Sequence, residues 1–211
     1  MPNVSNVKSK FFGAVAATDA DGISVSASIG SATTLTLGGT LTSGGSYTSG
    51  DNIGQIITIT SAADDSGITF TVVGTNAVGD ALTEVVTGAD TTVASSSGYF
   101  NTVTSITTSA ATDAAVIAGV MGSSAAGAMG TGTVFAGRTR IRGLQGLSGA
   151  SAGNLLFKNT SVTGTTLLTV PTQAAAELIE PYIPDNAVLF DEGAYVSFPG
   201  AAATITVFYD G

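Results

Sequence analysis

Apolar or β-branched residues alternate with small polar residues along most of this 211-residue chain. The clearest examples are residues 23–29 (ISVSASI), 56–60 (IITIT) and 68–73 (ITFTVV). A period of two is typical of a β-strand that buries one face, because successive side chains point to opposite sides of a sheet. Helical periodicity is nearly absent, so the pattern predicts an all-β fold with minimal helix.

Further strands are predicted along the whole chain: residues 33–37, 81–87, 100–108, 134–144, 154–158, 165–170, 188–190, 195–198 and 204–209. Gly- and Asp-bearing turns separate the strands at 56–60, 68–73 and 81–87, which predicts an antiparallel meander that residues 100–108 continue. Residues 172–180 form either a short helix or an irregular strand, since Pro171 and Pro181 flank a segment with good helix propensity.

The most irregular segment of the sequence, residues 109–132, separates two strand-rich halves. It is rich in Gly, Ala and Ser, and it ends in SSAAGAMGTG. We therefore expect an N-terminal arm at 1–22, a first β-domain at 23–122, a linker at 123–133 and a second β-domain at 134–211. The spacing of strands and turns suits two small antiparallel β-sandwich or barrel domains.

Charge and hydropathy argue against two classes of partner. Fifteen acidic against six basic residues give a formal charge of −9, whereas nucleic-acid binding needs a basic face. We therefore expect no nucleic-acid partner. We also expect no membrane partner, because no apolar run approaches the roughly 18 residues that span a bilayer. Charged residues make up only 10% of the chain, and such a neutral, hydroxyl-rich surface is suited to broad protein contacts.

The residue types needed for most catalysis are missing. The chain has no His and no Cys, so its many serines lack the usual general base and no thiolate can hold a metal. The acidic pairs Asp64-Asp65 and Asp191-Glu192 stand in turn-like settings, where carboxylates commonly accept backbone N–H groups. We expect no enzyme activity and no cofactor.

One short segment begins like a calcium-binding loop. Asp19-Ala20-Asp21-Gly22 places two carboxylates at alternate positions, but Ile23 occupies the next alternate position and no acid closes the loop. A turn before a strand is the expected structure, and we predict no metal site.

Three arginines form the sharpest charged feature. Arg138, Arg140 and Arg142 alternate with Thr139 and Ile141, so an extended strand projects all three guanidinium groups from one face over about 13 Å. Such a stripe suits an acidic groove on a partner protein. Two alternatives stay open, namely a solvated strand face neutralised by the chain's own carboxylates, and contact with nucleic acid.

The N-terminal arm carries two lysines and two adjacent aromatic residues. Burial of one Phe side chain contributes about 1.5 to 3 kcal/mol, so Phe11 and Phe12 could hold the arm in a groove of a neighbour. Lys8 and Lys10 would then meet acidic groups at the rim of that groove. Docking of the arm on its own β-domain is the alternative.

Several stretches of the chain are similar to one class of protein. They are residues 57–61 and 66–72 in the first half and, in the second, 150–158 (ASAGNLLFK), 164–170 (GTTLLTV), 183–196 (IPDNAVLFDEGAYV) and 204–209 (TITVFY). These stretches resemble small β-rich virion structural proteins of tailed bacteriophages, including marine podoviruses. The resemblance implies a protein of the capsid surface that decorates or cements the capsid, binds the major capsid protein or other virion proteins, and is present as a homo-oligomer or in many copies.

Two other functions fit the same composition. The first is a head-tail connector or tail component. The second is a carbohydrate-binding β-module, which would need grouped aromatic residues, whereas the five tyrosines are scattered at positions 47, 99, 182, 195 and 209.

Overall fold

The structure is a computed structural model that describes residues 6–50, 52–122, 128–199 and 203–211. The described residues contain eighteen β-strands and no helix, which confirms the predicted all-β class. Within these ranges no helix is long and apolar enough to cross a membrane.

The strands follow in chain order: β1 (Val7–Phe12), β2 (Asp19–Ser28), β3 (Thr42–Ser43), β4 (Ser46–Thr48), β5 (Gly54–Ser61), β6 (Thr69–Thr75), β7 (Ala81–Thr87), β8 (Val93–Phe100), β9 (Thr102–Thr108), β10 (Ala115–Val120), β11 (Ala128–Phe135), β12 (Thr139–Leu147), β13 (Gly153–Asn159), β14 (Thr166–Thr172), β15 (Leu178–Ile179), β16 (Val188–Phe190), β17 (Ala194–Pro199) and β18 (Thr204–Asp210).

The chain divides into two compact units. Unit 1 comprises the described residues within Met1–Val15, Gly50–Ile53 and Ala126–Gly211. Unit 2 comprises those within Ala16–Ser49 and Gly54–Ala125.

Unit 1 contains two antiparallel sheets. Sheet I has the order β1-β18-β12-β15, and β16 also pairs with β12. Sheet II has the order β14-β13-β17-β11. The core between them is aromatic: the ring centroids of Phe12 on β1 and Phe198 on β17 lie 6.2 Å apart, and both side chains are fully buried. This packing is that of a small β-sandwich.

Unit 2 also contains two sheets. Sheet III has the order β8-β5-β10-β2, and sheet IV has the order β3-β4-β9-β6-β7. Strand β6 shows why this sequence forms a sheet: Phe70 and Val72 are buried, while the intervening Thr69, Thr71 and Val73 are only partly buried. Such strands give the unit one continuous apolar core.

The predicted meander is correct only for the antiparallel pairing of β6 with β7. Strand β9 lies in the same sheet IV, but it pairs with the other side of β6 and does not continue from β7. Strand β5 instead pairs with β8 and β10 in sheet III. Residues 33–37 form only an isolated bridge from Thr34 to Thr107, and residues 172–180 are not helical.

The boundaries of the two units differ from the expected domains. Strand β1, in the expected arm, belongs to unit 1 because it pairs along its whole length with the C-terminal strand β18. Residues 16–22 belong to unit 2. Within the expected linker, residues 123–127 lie outside the described residues and β11 begins at Ala128.

Candidate protein-docking face

Strand pairing in sheet I brings distant parts of the sequence onto one surface. Phe11 on β1 is paired with Thr206 on β18, and Thr206 is paired with Gln145 on β12. Directly paired residues in an antiparallel sheet project to the same side, so these three side chains form a row across the sheet. Leu147 lies two residues after Gln145 on β12, so its side chain projects to the same side of the sheet. It is paired with Leu178 on β15.

This side of sheet I points away from the core and carries large apolar groups. Phe11 keeps 46% of its surface exposed, Leu147 keeps 50% and Leu178 keeps 60%. Their chain neighbours Phe12 and Ile179 point to the other side and are buried. We call the exposed side the outer face of sheet I and define it by Phe11, Thr206, Phe208, Gln145, Leu147 and Leu178.

A groove of about 500 Å³ lies along this outer face. Gly143 is paired with Phe208, and the missing side chain at Gly143 leaves space beside the Phe208 ring. Tyr182 also lines the groove and is 85% exposed. The groove is lined by polar residues such as Gln145 and Glu180 as well as by apolar ones, and an exposed aromatic residue at such a groove is suited to contact with another protein.

The arginine stripe lies at one end of the same face. Arg142 donates from Nε and Nη2 to the same carboxylate oxygen of Asp210, at 2.7 and 2.6 Å, and from Nη1 to the carbonyl oxygen of Asp185 at 3.1 Å. The hydrogen bond to Asp210 raises the pKa of Arg142. Arg138 contacts Asp191 at 3.4 Å. Two arginines of the stripe therefore pair with carboxylates of their own chain, as one of the open alternatives expected.

Arg140 differs from the other two arginines. Its Nη1 donates to the carbonyl oxygen of Asn186 at 3.0 Å, and among the described residues it lacks the carboxylate partner that Arg138 and Arg142 have. Arg138 and Arg140 together line a second depression of about 230 Å³. Among the described residues, Arg140 is therefore the arginine of the stripe that stays available to an acidic group of a partner, at the end of the outer face.

The two lysines of β1 point to the other side of the strand. The Lys8 Nζ lies 5.7 Å from the centroid of the Phe135 ring, and the Lys10 Nζ lies 5.8 Å from that of Phe12. Burial lowers the pKa of Lys10. Since β1 pairs with β18 alone, inward-pointing lysines protect an open sheet edge against pairing with other chains. The contacts that Lys8 and Lys10 make within unit 1 therefore account for their positions without the groove of a neighbour.

Phe11 and Phe12 have different surroundings although they are adjacent. Phe12 is buried in the core of unit 1, where the Phe198 ring is one of its neighbours. A side chain at Gly132 would overlap the Phe12 ring, so the glycine makes room for this aromatic residue. Docking of the N-terminal segment on its own unit is the alternative that this geometry supports, and Phe11 alone stays open to a partner.

Charge is divided unequally between the two units. Unit 2 has eight acidic residues and no Lys or Arg, which gives a formal charge of −8. Unit 1 has seven acidic residues and all six basic residues of the chain, which gives −1. The two values together make the net −9. A partner therefore meets a strongly acidic surface on unit 2 and a nearly neutral one on unit 1.

The carboxylates considered for catalysis or metal binding have local structural roles. Asp64 accepts hydrogen bonds from the backbone and side chain of Ser66, which lower its pKa. Asp19 accepts the Thr40 hydroxyl at 2.7 Å, and Glu192 accepts that of Thr160 at 2.9 Å. In the described part of the chain, no group of three or more acidic side chains is placed to hold a metal ion.

Of the residues that define the outer face, the sequence alone predicted only Phe11 as a partner contact. Leu147 and Leu178, and Tyr182 at the groove, carry no charge pattern and lie outside the predicted strands. A signal did exist for Tyr182, because a tyrosine between Pro181 and Pro184 cannot join the middle of a sheet easily. The five tyrosines do not gather at one place, since Tyr47 and Tyr99 lie in unit 2 and the others in unit 1.

Comparison with protein-family models, with curated proteins and with solved structures finds no match for this chain. The geometry and chemistry of the outer face therefore carry its interpretation.

Proposed function

We propose that this protein is a non-enzymatic structural component of a tailed-phage virion, which decorates or cements the capsid through protein contacts. The observation that carries the proposal is the outer face of sheet I, which exposes Phe11, Leu147 and Leu178 and has Arg140 at one end. Several large apolar side chains exposed on one face of a sheet are a feature of protein interaction sites.

The electrostatics support a protein partner over the alternatives. The charge of −8 on unit 2 repels the phosphates of nucleic acid and anionic lipid surfaces alike. The near-neutral unit 1 can approach an acidic protein shell without that repulsion, and Arg140 offers one guanidinium for an acidic side chain of the shell. Attachment through unit 1 therefore fits a capsid-surface protein.

The architecture supports a durable structural part. Two units with apolar cores and turn-capping carboxylates give stability without disulfides. The sequence resemblance to phage virion proteins supports the phage particle as the place of assembly. A carbohydrate-binding module is less well supported, because the described tyrosines form no common platform on which a sugar could stack.

Quantitative mass spectrometry of purified particles, from the phage whose genome encodes this chain, tests the proposal. We expect hundreds of copies per particle, in a fixed ratio to the major capsid protein. About a dozen copies or fewer would instead indicate the head-tail connector or tail. Particles that lack the protein altogether would contradict a virion role.

A further inference from the structure

We propose that the outer edge of strand β7 in unit 2 binds an extended segment of a partner protein as an additional β-strand, and that this segment carries Lys or Arg at both of its ends. The site lies in unit 2, so it is separate from the outer face of sheet I that the proposed function assigns to the capsid shell. The inference stands on the geometry and charge of unit 2 and does not depend on that function.

The first support is the open edge of β7. This strand is the outermost strand of sheet IV and has β6 as its neighbour. Its seven residues pair one to one with β6 without a bulge. About half of the backbone N–H and C=O groups of an outer strand point away from its neighbour, and no backbone group of another described segment pairs with that side of β7. The strand therefore offers a regular row of unpaired donors and acceptors about 24 Å long.

Other outer strands of the described chain carry protection against added strands. Pro171 interrupts β14, lysines point inward on β1, and β3 and β15 have only two residues each. The N–H groups of Gly39 and Leu41 donate to carbonyl oxygens of β2 at 3.1 and 2.7 Å and so cover its backbone. Strand β7 is seven residues long and contains neither Pro nor Lys. A long edge without these features is a template for another strand.

The one charged residue of β7 does not protect its edge. Glu84 points to the inner side of sheet IV, where its carboxylate oxygens accept the N–H groups of Ser97 and Gly98. The outward positions hold small or β-branched residues, including Thr83 and Val85, and Val85 is 59% exposed. β-Branched side chains pack well beside those of a neighbouring strand. The outward row therefore suits a segment in which Thr and Val alternate.

Acidic side chains at both ends of β7 indicate the charge of the partner. Asp80 directly precedes the strand, while Asp90 follows it by three residues and is bridged to Asp64. All three residues are exposed, and unit 2 has no Lys or Arg that could pair with them. A segment with cationic ends gains an ion pair at each end, whereas an acidic segment meets the charge of −8 on the unit. This complementarity favours a basic segment as the occupant.

The same charge disfavours a second copy of this chain at the β7 edge. Two β7 strands that paired around a two-fold axis would run antiparallel and place the acidic ends of one copy beside those of the other. They would also bring together two units of −8 each. Repulsion between these units therefore leaves the edge open to a basic partner.

Binding of a synthetic peptide to the purified full chain tests the inference. The probe is a fluorescently labelled segment of seven alternating Thr and Val residues with one Lys added at each end. Its anisotropy should rise during titration with the protein at low salt, and the amides of residues 81–87 should gain protection against hydrogen exchange. Two control peptides should bind at least about tenfold more weakly: one has Glu in place of both lysines, and the other has a central Pro that lacks an N–H donor.

Two pairs of matched variants locate the binding site on the chain. Val85→Lys adds a cation to the outward row, as natural edge strands do, and should weaken binding of the Lys peptide at least about tenfold. Its control is Val93→Lys on β8, which brings the same charge at a side chain that is 50% exposed and should weaken binding less than about twofold. Asp90→Asn should weaken binding by up to about fivefold, as for loss of an exposed ion pair, whereas Asp21→Asn on β2 should leave it nearly unchanged.

Four results would overturn the inference. They are no binding of the Lys peptide up to millimolar concentration, equal binding of the Glu peptide, equal weakening by the two valine variants, and dimerisation of the chain through β7. If Val85→Lys does not fold, hydrogen exchange of the wild type decides, since protection gained outside residues 81–87 alone would contradict the site. A chain that ignores the peptide yet is abundant on particles would leave the proposed function standing.

Discussion

Glu84 on β7 accepts the backbone N–H of Gly98 on β8 with its Oε2 at 2.8 Å, while its Oε1 accepts the N–H of Ser97 at 2.6 Å. One carboxylate thus connects the two sheets of unit 2, because β7 belongs to sheet IV and β8 to sheet III.

This clamp predicts a stability cost for a conservative substitution. Glu84→Gln keeps the size of the side chain but places an NH₂ group against one of the two N–H donors. We expect the free energy of unfolding to fall by about 1 to 3 kcal/mol, as for other losses of charge-assisted hydrogen bonds. Urea denaturation of the wild type and the variant measures this change in the free energy of unfolding. The control is Glu180→Gln at an exposed position, and an equal change in both variants would contradict a special role for Glu84.

The burial of the Tyr47 hydroxyl leads us to expect a loss of stability at high pH. Burial raises its pKa to about 12 from the ordinary 10.0, and its hydroxyl donates to Gln55 at 2.7 Å. The folded chain keeps this proton above pH 10, where the unfolded chain releases it. The raised pKa of Tyr47 therefore contributes its full stabilisation below pH 10. As the pH rises to 12 this stabilisation is lost, and the free energy of unfolding falls by about 2 to 3 kcal/mol.

The variant Tyr47→Phe isolates this effect. It should be less stable than the wild type at neutral pH, because Gln55 loses a hydrogen-bond donor. The difference between the two proteins should shrink between pH 10 and 12. Thermal melts across this range measure it, and a constant difference would show that Tyr47 does not titrate as its burial indicates.

Gly119 predicts a steric effect at the centre of sheet III. A Cβ at this position would overlap the backbone of Asp19 and Ala20 on β2, and backbone cannot move aside as a flexible side chain can. Gly119→Ala should cost about 1 to 3 kcal/mol, the usual range for overpacking. Gly67→Ala is the control, since a Cβ at that position would have nothing within 4 Å, and it should be nearly neutral. Similar melting temperatures for the two variants would contradict this packing.

Phe11 and Phe12 predict opposite outcomes for the same substitution. Phe12→Ala should destabilise the chain by about 3 to 5 kcal/mol because it opens a cavity in the core of unit 1. Phe11→Ala should change stability by less than about 1 kcal/mol but weaken attachment of the protein to particles. Parallel melting and particle-binding experiments separate the two effects. A large stability loss for Phe11→Ala would place it in the core as well.

The all-β class was predictable because alternation is a local property of the sequence. Strand β10 was missed for a physical reason: it pairs with β5 on one side and β2 on the other, and its sequence AVIAGV is mostly buried, so it shows no alternation. The docking face was not predictable as a unit. Phe11 and Gln145 share one row only because each is paired with Thr206 on β18, and such long-range pairing leaves no local pattern.

The position of the protein on the particle tests the central claim most directly. A difference map from cryo-electron microscopy, between particles with the gene and particles from which it is deleted, would locate it. We expect density of β-sheet character repeated over the outer capsid surface, with unit 1 against the shell. No difference over the shell would contradict capsid decoration.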